Sequence, residues 1–313
     1  MKLKKPKFWD YKQPNFLSYL LLPFTLPLII NNFFLDIKKN KIVKEKTTKI
    51  CIGNIYIGGT AKTPLTIKLY QILKDLKFRT ATIKKFYTSH YDEQKLLANK
   101  TNLYCEKNRI NALKKAIKDN MDVLLFDDGL QDKSIDYDLK FVCFNNTKWV
   151  GNGFLIPAGP LREKIKSLSK YDAAFINGNK KDNSTLKLLL NKHNPNIKVF
   201  ESFYKTINID QFDINEKYVI FSGIGNPESF KEILIKNKIN ITKEIIFPDH
   251  YKYTQKDINN IRSQAKEHNS KILTTEKDYV KIKSDRNSDI KYLKIELDIK
   301  NEKRLIDYLR QYI

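Results

Sequence analysis

Residues 50–64, Ile-Cys-Ile-Gly-Asn-Ile-Tyr-Ile-Gly-Gly-Thr-Ala-Lys-Thr-Pro, run from an apolar strand through a Gly-rich loop into a Lys-Thr pair. A phosphate cradle is built this way. Gly58 and Gly59 permit a tight turn in which successive backbone N–H groups face an anion, with the N-terminus of the next helix behind it. Thr60 and Ala61 complete the loop, Lys62 is placed to reach nucleotide β/γ-phosphates, and Thr63 to hold Mg²⁺. The strict G-x-x-x-x-G-K-[ST] pattern is not met, because Tyr56 and Ala61 occupy its two glycine positions. Alone, the stretch fits either a nucleotide loop or a Gly-rich turn capping an ordinary helix.

Outward from this loop, short apolar strands alternate with helical stretches. Strands are expected over Thr48–Ile57, Thr80–Ile83, Asn102–Cys105, Asp122–Phe126, Leu139–Phe144 and Ala173–Asn177, with helices over Thr63–Leu76, Asp92–Ala98, Arg109–Lys118 and Thr185–Lys192. Such alternation predicts an α/β fold, a largely parallel sheet flanked by helices, with ligands gathering at the carboxyl ends of the strands. Residues 145–170 change character, with Gly151, Gly153, Pro157, Gly159 and Pro160 packed into ten positions, a long, shaped loop of the kind that often carries function. A second unit opens near Asn208, with strands at Tyr218–Ser222, Glu244–Phe247 and Lys271–Thr274 and helices at about Glu228–Asn237, Gln255–Glu267 and Lys300–Tyr312. The expected organisation is an N-terminal segment 1–36, a P-loop domain over 37–207 and a smaller C-terminal α/β domain over 208–313.

At 313 residues the chain is long enough for two domains. The formal charge of +23, from 58 Lys+Arg against 35 Asp+Glu, favours anionic partners such as nucleic acid, phosphorylated ligands or an acidic membrane surface. A genome biased toward Lys, Asn and Ile gives the same excess. The lysines are spread over nearly all expected elements and no nucleic-acid motif accompanies them, which argues against a nucleic-acid partner. Cys51, Cys105 and Cys143 lie far apart with no C-x-x-C, so neither a disulfide framework nor a Cys-ligated zinc is expected.

Phe16 to Ile30 is apolar apart from Ser18 and Thr25, with Lys2, Lys4, Lys5, Lys7 and Lys12 before it and Lys38, Lys39 and Lys41 after it. The run is shorter than the roughly 20 residues of a spanning helix, and Pro23 and Pro27 interrupt it. Trp9, Tyr11, Phe16 and Tyr19 beside the lysines fit a segment lying in the interface of an anionic leaflet. A buried core helix with a basic lead-in is the alternative.

Val123-Leu124-Leu125-Phe126-Asp127-Asp128-Gly129 is an apolar strand ending in two acids, the way a P-loop enzyme presents a carboxylate to Mg²⁺. Its position about sixty residues after the Lys-Thr pair turns a commonplace strand end into a candidate metal site. His250, in Phe247-Pro248-Asp249-His250-Tyr251, has an acid beside it and follows an expected strand. Phosphoryl transfer to an alcohol asks the protein mainly to align the hydroxyl and accept its proton, and a carboxylate–imidazole pair does that. His90 lies near Asp92 and Glu93, whereas His193 and His268 occupy polar contexts and receive no role.

Further blocks extend these. They are Gly53-Asn54 with Gly58 to Pro64; Asp127-Asp128-Gly129-Leu130-Gln131; Gly151-Asn152-Gly153 through Pro157-Ala158-Gly159-Pro160-Leu161-Arg162-Glu163; Gly223-Ile224-Gly225-Asn226-Pro227; Phe247 to His250; and Thr274-Thr275-Glu276-Lys277-Asp278. In this order, from near residue 8 to residue 281, the chain resembles the tetraacyldisaccharide 4′-kinases of lipid A biosynthesis, which use ATP to phosphorylate the 4′-hydroxyl of a tetraacylated glucosamine disaccharide. The resemblance implies two α/β domains, ATP and Mg²⁺ as cofactors, and a lipid disaccharide substrate. It also implies a membrane-associating N-terminal helix on the cytoplasmic face of the bacterial inner membrane, and calls for no protein partner. It implies catalysis by Lys62, Asp92 and His250, with Asp92 and His250 pairing to activate the sugar hydroxyl. Gly58, Gly59, Thr60, Ala61, Lys62, Thr63, Gln131 and Arg162 match nucleotide-side positions, Thr63, Asp127 and Asp128 the metal, and Glu163 a further active-site position.

Four departures stand out: Ala61 for the usual glycine, Asp132 for a histidine, Lys84-Lys85-Phe86-Tyr87 for an Arg-Gly-Tyr-Gly pattern, and a short loop before Asp92. Where the backbone needs positive φ, the Ala61 methyl costs about 1 kcal/mol. A P-loop protein acting on nucleic acid, and a relative that binds substrate but turns over weakly, are the competing readings.

Overall fold

A computed structural model of the chain describes residues 5–37, 46–178, 182–282 and 288–313. The chain divides into two compact units. Among the described residues the larger gathers residues 5–86, Lys100–Phe203 and Leu297–Ile313; the smaller gathers Tyr87–Asn99 and Tyr204–Glu296. Relative to a division at residue 208, Tyr87–Asn99, residues 204–207 and Leu297–Ile313 change sides.

After a 3₁₀ turn over Lys7–Asp10 come two helices, α1 (Phe16–Leu20) and α2 (Leu26–Ile37), joined by a second 3₁₀ turn over Leu22–Thr25. Pro23 and Pro27 account for the break, since neither supplies the N–H a continuous helix needs. Asn15 caps α1 by accepting from the Ser18 N–H at 3.0 Å. The segment is inverted relative to a buried helix. Its polar members Ser18 and Thr25 are buried, whereas Phe16 is 78% exposed, Phe24 66% and Phe34 65%. The buried-core alternative therefore fails here. No helix among the described residues is long and apolar enough to cross a membrane. Lys2, Lys4, Lys38, Lys39 and Lys41 lie outside the described residues.

In the larger unit the elements are β1 (Thr48–Gly53), α3 (Lys62–Asp75), β2 (Thr80–Lys85), β3 (Leu103–Glu106), α5 (Arg109–Lys118), β4 (Val123–Asp127), β5 (Leu139–Asn145), β6 (Ala173–Asn177), α6 (Ser184–His193) and β7 (Lys198–Thr206). Near its end the chain adds β12 (Ile295–Ile299) and α10 (Glu302–Leu309). The sheet runs β12-β7-β6-β5-β1-β4-β2-β3. From β3 to β7 every neighbouring pair is parallel. Burial of both faces explains why these strands read as continuous apolar runs. Cys51, Phe126, Val142 and Phe144 lie in one core beneath them. Cys51, Cys105 and Cys143 are all free thiols, and burial pushes the Cys51 and Cys143 thiols far above their ordinary range.

The register positions the chemistry. Ile52 of β1 pairs with Asp127 of β4, and Ile83 of β2 pairs with Phe126, so the Gly-rich loop, the acid pair and Lys84 emerge side by side. The strand expected over Thr48–Ile57 stops at Gly53, because the side chain of Asn54 turns the chain.

The smaller unit contains α4 (Tyr91–Lys100), β8 (Lys217–Ser222), α7 (Pro227–Lys236), β9 (Asn240–Ile246), α8 (Gln255–Glu267), β10 (Lys271–Thr275), the short α9 (Glu276–Tyr279) and β11 (Ile290–Leu293). Its sheet runs β11-β10-β8-β9, all parallel. β8 buries alternate residues on opposite faces, Tyr218 and Ile220 with Phe230 and Leu234 of α7, Val219 and Phe221 with Ile258 and Ile261 of α8. The sequence-based reading has no counterpart for β7, β11, β12 or α9.

Candidate active site

The loop after β1 is organised from within. Asn54 is fully buried, and its Nδ2 donates to the carbonyls of Tyr56 at 2.5 Å and Gly58 at 3.3 Å and to Thr60 Oγ1 at 2.8 Å. Gly58 sits at φ +131°, where a side chain is strained. Gly59 is exposed and Thr60 buried. Ala61, directly before α3, is left-handed at φ +67°, ψ +23°, so the glycine departure falls on a residue whose backbone does need positive φ.

Lys62 and Thr63 open α3 and face different acids. Thr63 Oγ1 donates to Asp127 Oδ2 at 3.0 Å, and Thr66 Oγ1 to Asp127 Oδ1 at 3.4 Å. Lys62 Nζ stands 3.8 Å from Asp128 Oδ1. Asp127 is wholly buried at the end of β4, whereas Asp128 turns left-handed at φ +58° and aims its carboxylate elsewhere. Sequence reasoning gave Lys84 no role. Its ammonium, 3% exposed, lies 2.5 Å from Asp127 Oδ2. The available signal was a lysine within a strand, directly after Ala81-Thr82-Ile83.

Arg162 joins the same group from the Gly-Pro loop: its Nη1 donates to Asp128 Oδ1 at 3.0 Å and to Gln131 Oε1 at 3.3 Å. Gln131 Nε2 in turn donates to Asn54 O at 3.0 Å and to Glu163 Oε1 at 2.7 Å, and Tyr171 OH donates to Glu163 Oε2 at 2.9 Å. Burial, reinforced by Glu163, pushes the Tyr171 phenol well above its ordinary pKa. Asp132 has a clear partner. It receives Arg109 Nη1 at 3.0 Å, while Arg109 Nη2 donates to Asp128 O at 2.6 Å, so the pair braces the acid turn.

The N-terminal segment is bonded to the Gly-Pro loop of this unit. Trp9 Nε1 donates to Pro157 O at 3.0 Å, Asn152 Nδ2 to Ser18 Oγ at 2.9 Å, and Asn32 Nδ2 to Arg162 O at 2.9 Å. Gly159 belongs to this packing, since a methyl there would meet Asn152 Oδ1 at 2.1 Å.

The other candidate residues lie in the smaller unit. Asp92, in the first turn of α4, and His250, after β9, come together across 158 residues: His250 Nδ1 is 2.9 Å from Asp92 Oδ1 and 3.1 Å from Oδ2. The His250 backbone is left-handed at φ +57°. His90 stacks on the His250 ring with centroids 4.6 Å apart and planes 21° apart. Burial would raise the Asp92 carboxyl, but His250, Lys277 and Lys281 outweigh it and hold it down at about 2.

Thus Lys62, Thr63, Asp127, Asp128, Gln131 and Arg162 form one connected group, and Asp92 and His250 another. The first can take an anion between Lys62 and Arg162 and a hard cation at hydroxyl and carboxylate oxygens. Among the described residues no three His, Cys, Asp or Glu side chains form a metal cage; a cation bound largely through nucleotide phosphates needs only one or two protein oxygens.

Comparison with known proteins gives a family and a fold. The family model described as Tetraacyldisaccharide-1-P 4'-kinase matches residues 17–313. A Tetraacyldisaccharide 4'-kinase of Pelagibacter ubique (strain HTCC1062) is 48% identical over 310 residues, 99% of this chain and 98% of the relative. One from Rickettsia akari (strain Hartford) is 34% identical over 320 residues, covering 96% and 95%. Among solved structures, an "apo" form LpxK from Aquifex aeolicus in complex with ATP matches with a TM-score of 0.68 at 23% identity, covering 95% of this chain and 99% of that one, and shares the fold.

Proposed function

The chain belongs to the tetraacyldisaccharide-1-P 4'-kinase family, and from that membership we propose that it moves the γ-phosphoryl group of ATP to the 4′-hydroxyl of a tetraacylated glucosamine disaccharide 1-phosphate. The observation that carries the acceptor-side chemistry is the 2.9 Å approach of His250 Nδ1 to Asp92. A carboxylate held at about 2 is a weak base at neutral pH. Asp92 therefore orients the ring with the proton on Nδ1, and His250 Nε2 accepts the hydroxyl proton.

The larger unit supplies the nucleotide side. Backbone N–H groups of Gly58, Gly59, Thr60 and Ala61 surround the phosphates, Lys62 and Arg162 balance their charge, and Gln131 keeps Arg162 aligned. Thr63, Asp127 and Asp128 fit Mg²⁺ as hard oxygen donors, with the Thr63 hydroxyl and the Asp127 carboxylate already meeting at 3.0 Å. When bound, Mg²⁺ neutralises phosphate charge at these residues. Lys84 pairs with the same Asp127 oxygen and fixes that carboxylate in place.

The proposed division of labour is a nucleotide-handling larger unit, an acceptor-handling smaller unit and an N-terminal membrane segment. Exposed Phe16, Phe24 and Phe34 support peripheral attachment to the cytoplasmic face of the inner membrane, where both ATP and an acylated substrate are available. No nucleic-acid or protein partner enters this reading. The test is ³²P transfer from ATP to the tetraacyldisaccharide 1-phosphate by the purified protein in detergent micelles. Labelled product that requires Mg²⁺ supports the assignment; no labelled product with folded protein overturns it.

A further inference from the structure

The Thr274–Asp278 block has so far been given no part in the chemistry. We propose that Lys277 is a positioning residue for the acceptor-side pair, holding three carboxylates around His250 so that the imidazole stays neutral and able to accept a proton. The inference rests on the kinase reading above.

The block is locked in place by Asp278. Its fully buried carboxylate accepts from Thr275 Oγ1 at 2.7 Å, Gly223 N at 3.0 Å, Tyr253 OH at 2.9 Å and Lys281 Nζ at 2.5 Å. α9 is thereby fastened to the carboxyl end of β8, and the direction of Lys277 is set. Lys277 Nζ lies 3.5 Å from Asp92 Oδ2, 3.5 Å from Glu93 Oε1 and 3.4 Å from Asp249 Oδ1. Those carboxylates also surround the imidazole. Nδ1 meets Asp92, while Nε2 stands 3.8 Å from Glu93 Oε1 and 3.7 Å from Asp249 Oδ2.

The charge balance follows from these groups. His250 is faced by Asp92 and Glu93 from α4, His90 from the turn before it, Asp249 on its own loop, and Lys277 from α9; Lys281 reaches Asp92 at 3.9 Å. Burial works against the Lys277 charge, but Glu93, Asp249, Asp92 and Asp278 outweigh it and keep the ammonium charged. Remove it, and three clustered carboxylates lose their shared counter-ion. The nearest group that can restore balance is His250, by taking up a proton, and an imidazolium has no lone pair left to accept one from the substrate.

The test compares wild type, Lys277→Met, Lys277→Arg and Asp249→Asn by the pH dependence of kcat and by NMR titration of the His250 ring. In Lys277→Met the acid limb of kcat and the His250 midpoint both move up by about one pH unit, so kcat falls by up to about tenfold on the acid limb and little at high pH, with KM for ATP nearly constant. Lys277→Arg restores both. Asp249→Asn keeps the cation, removes one carboxylate and moves the His250 midpoint down, so the idea stays testable should Lys277→Met fail to fold. A midpoint unchanged in the folded variants overturns it. Because the NMR readout needs no turnover, wild type without kinase activity would overturn the functional reading separately.

Discussion

Lys84 and Asp127 form an ion pair at 2.5 Å with the two side chains 3% and 0% exposed, in the middle of the nucleotide-side group. Each depends on the other. A buried pair adds little net stability over apolar residues, but removing one partner leaves an uncompensated charge and costs about 3–5 kcal/mol. Lys84→Met should lose that much by urea unfolding, and Lys84→Met combined with Asp127→Asn should regain a large part of it. A loss below about 1 kcal/mol in the single variant would contradict the pairing.

Ala61→Gly should stabilise the protein. The left-handed backbone costs an L-residue roughly 1–2 kcal/mol, and glycine gives back roughly 0.4–1 through the entropy of the unfolded chain, so the net gain is about 0.5–1 kcal/mol. Equilibrium denaturation checks the sign. A loss of stability would mean that the methyl, 8% exposed within the loop, contributes packing larger than its backbone strain.

Asp92 ties stability to acid. Its folded pKa of about 2 lies below its ordinary 3.8, so the contribution, on the order of 2 kcal/mol, is complete above pH 5 and is lost as pH falls through 4 toward 2. Roughly half should be gone at pH 3. Asp92→Asn should flatten the slope of unfolding free energy between pH 5 and 3; an unchanged slope would assign it to other carboxylates.

His250→Ala should lower kcat about 10²–10⁴-fold, the usual scale of general-base loss, with a small change in KM for ATP. Steady-state kinetics at saturating lipid make the comparison. A loss confined to KM would remove His250 from proton transfer.

Exchanging Phe16, Phe24, Phe33 and Phe34 for serine should release the protein from vesicles of anionic lipid without lowering its melting temperature, because these side chains are 60–78% exposed and contribute little to the fold. Sedimentation with vesicles reads the first effect and calorimetry the second. Undiminished sedimentation would place membrane affinity elsewhere.

The parts legible in the sequence are those that local physics writes locally. The Gly-rich loop, the acids ending β4 and the apolar runs of β1, β5 and β6 announce themselves because a strand buried on both faces tolerates few polar residues. β7 was hidden for the opposite reason. Its exposed and half-buried positions carry Lys198, Glu201 and Lys205, and Glu201 is held at about 2 by Lys187 and Lys300, partners about 14 and 99 residues away in sequence, despite partial burial that raises it. Asp92 and His250 could be named as candidates from their motifs. Their meeting, like the ammonium of Lys277 among three carboxylates, is a tertiary fact with no periodicity to betray it.

Segment Tyr87–Asn99 belongs to the smaller unit although it lies in the chain between two strands of the larger, β2 and β3. On the ribosome Asp92 is made 158 residues before His250. At synthesis rates of 5–20 residues per second, that is a wait of roughly 8 to 30 s. The larger unit meanwhile lacks β12 and α10, so it cannot close around its full complement until Leu309 has been made, after the smaller unit has all of its own parts. A nascent chain of this kind passes a long interval with unpaired strand edges, and no single cut through the backbone yields two fragments that each keep all of their own parts.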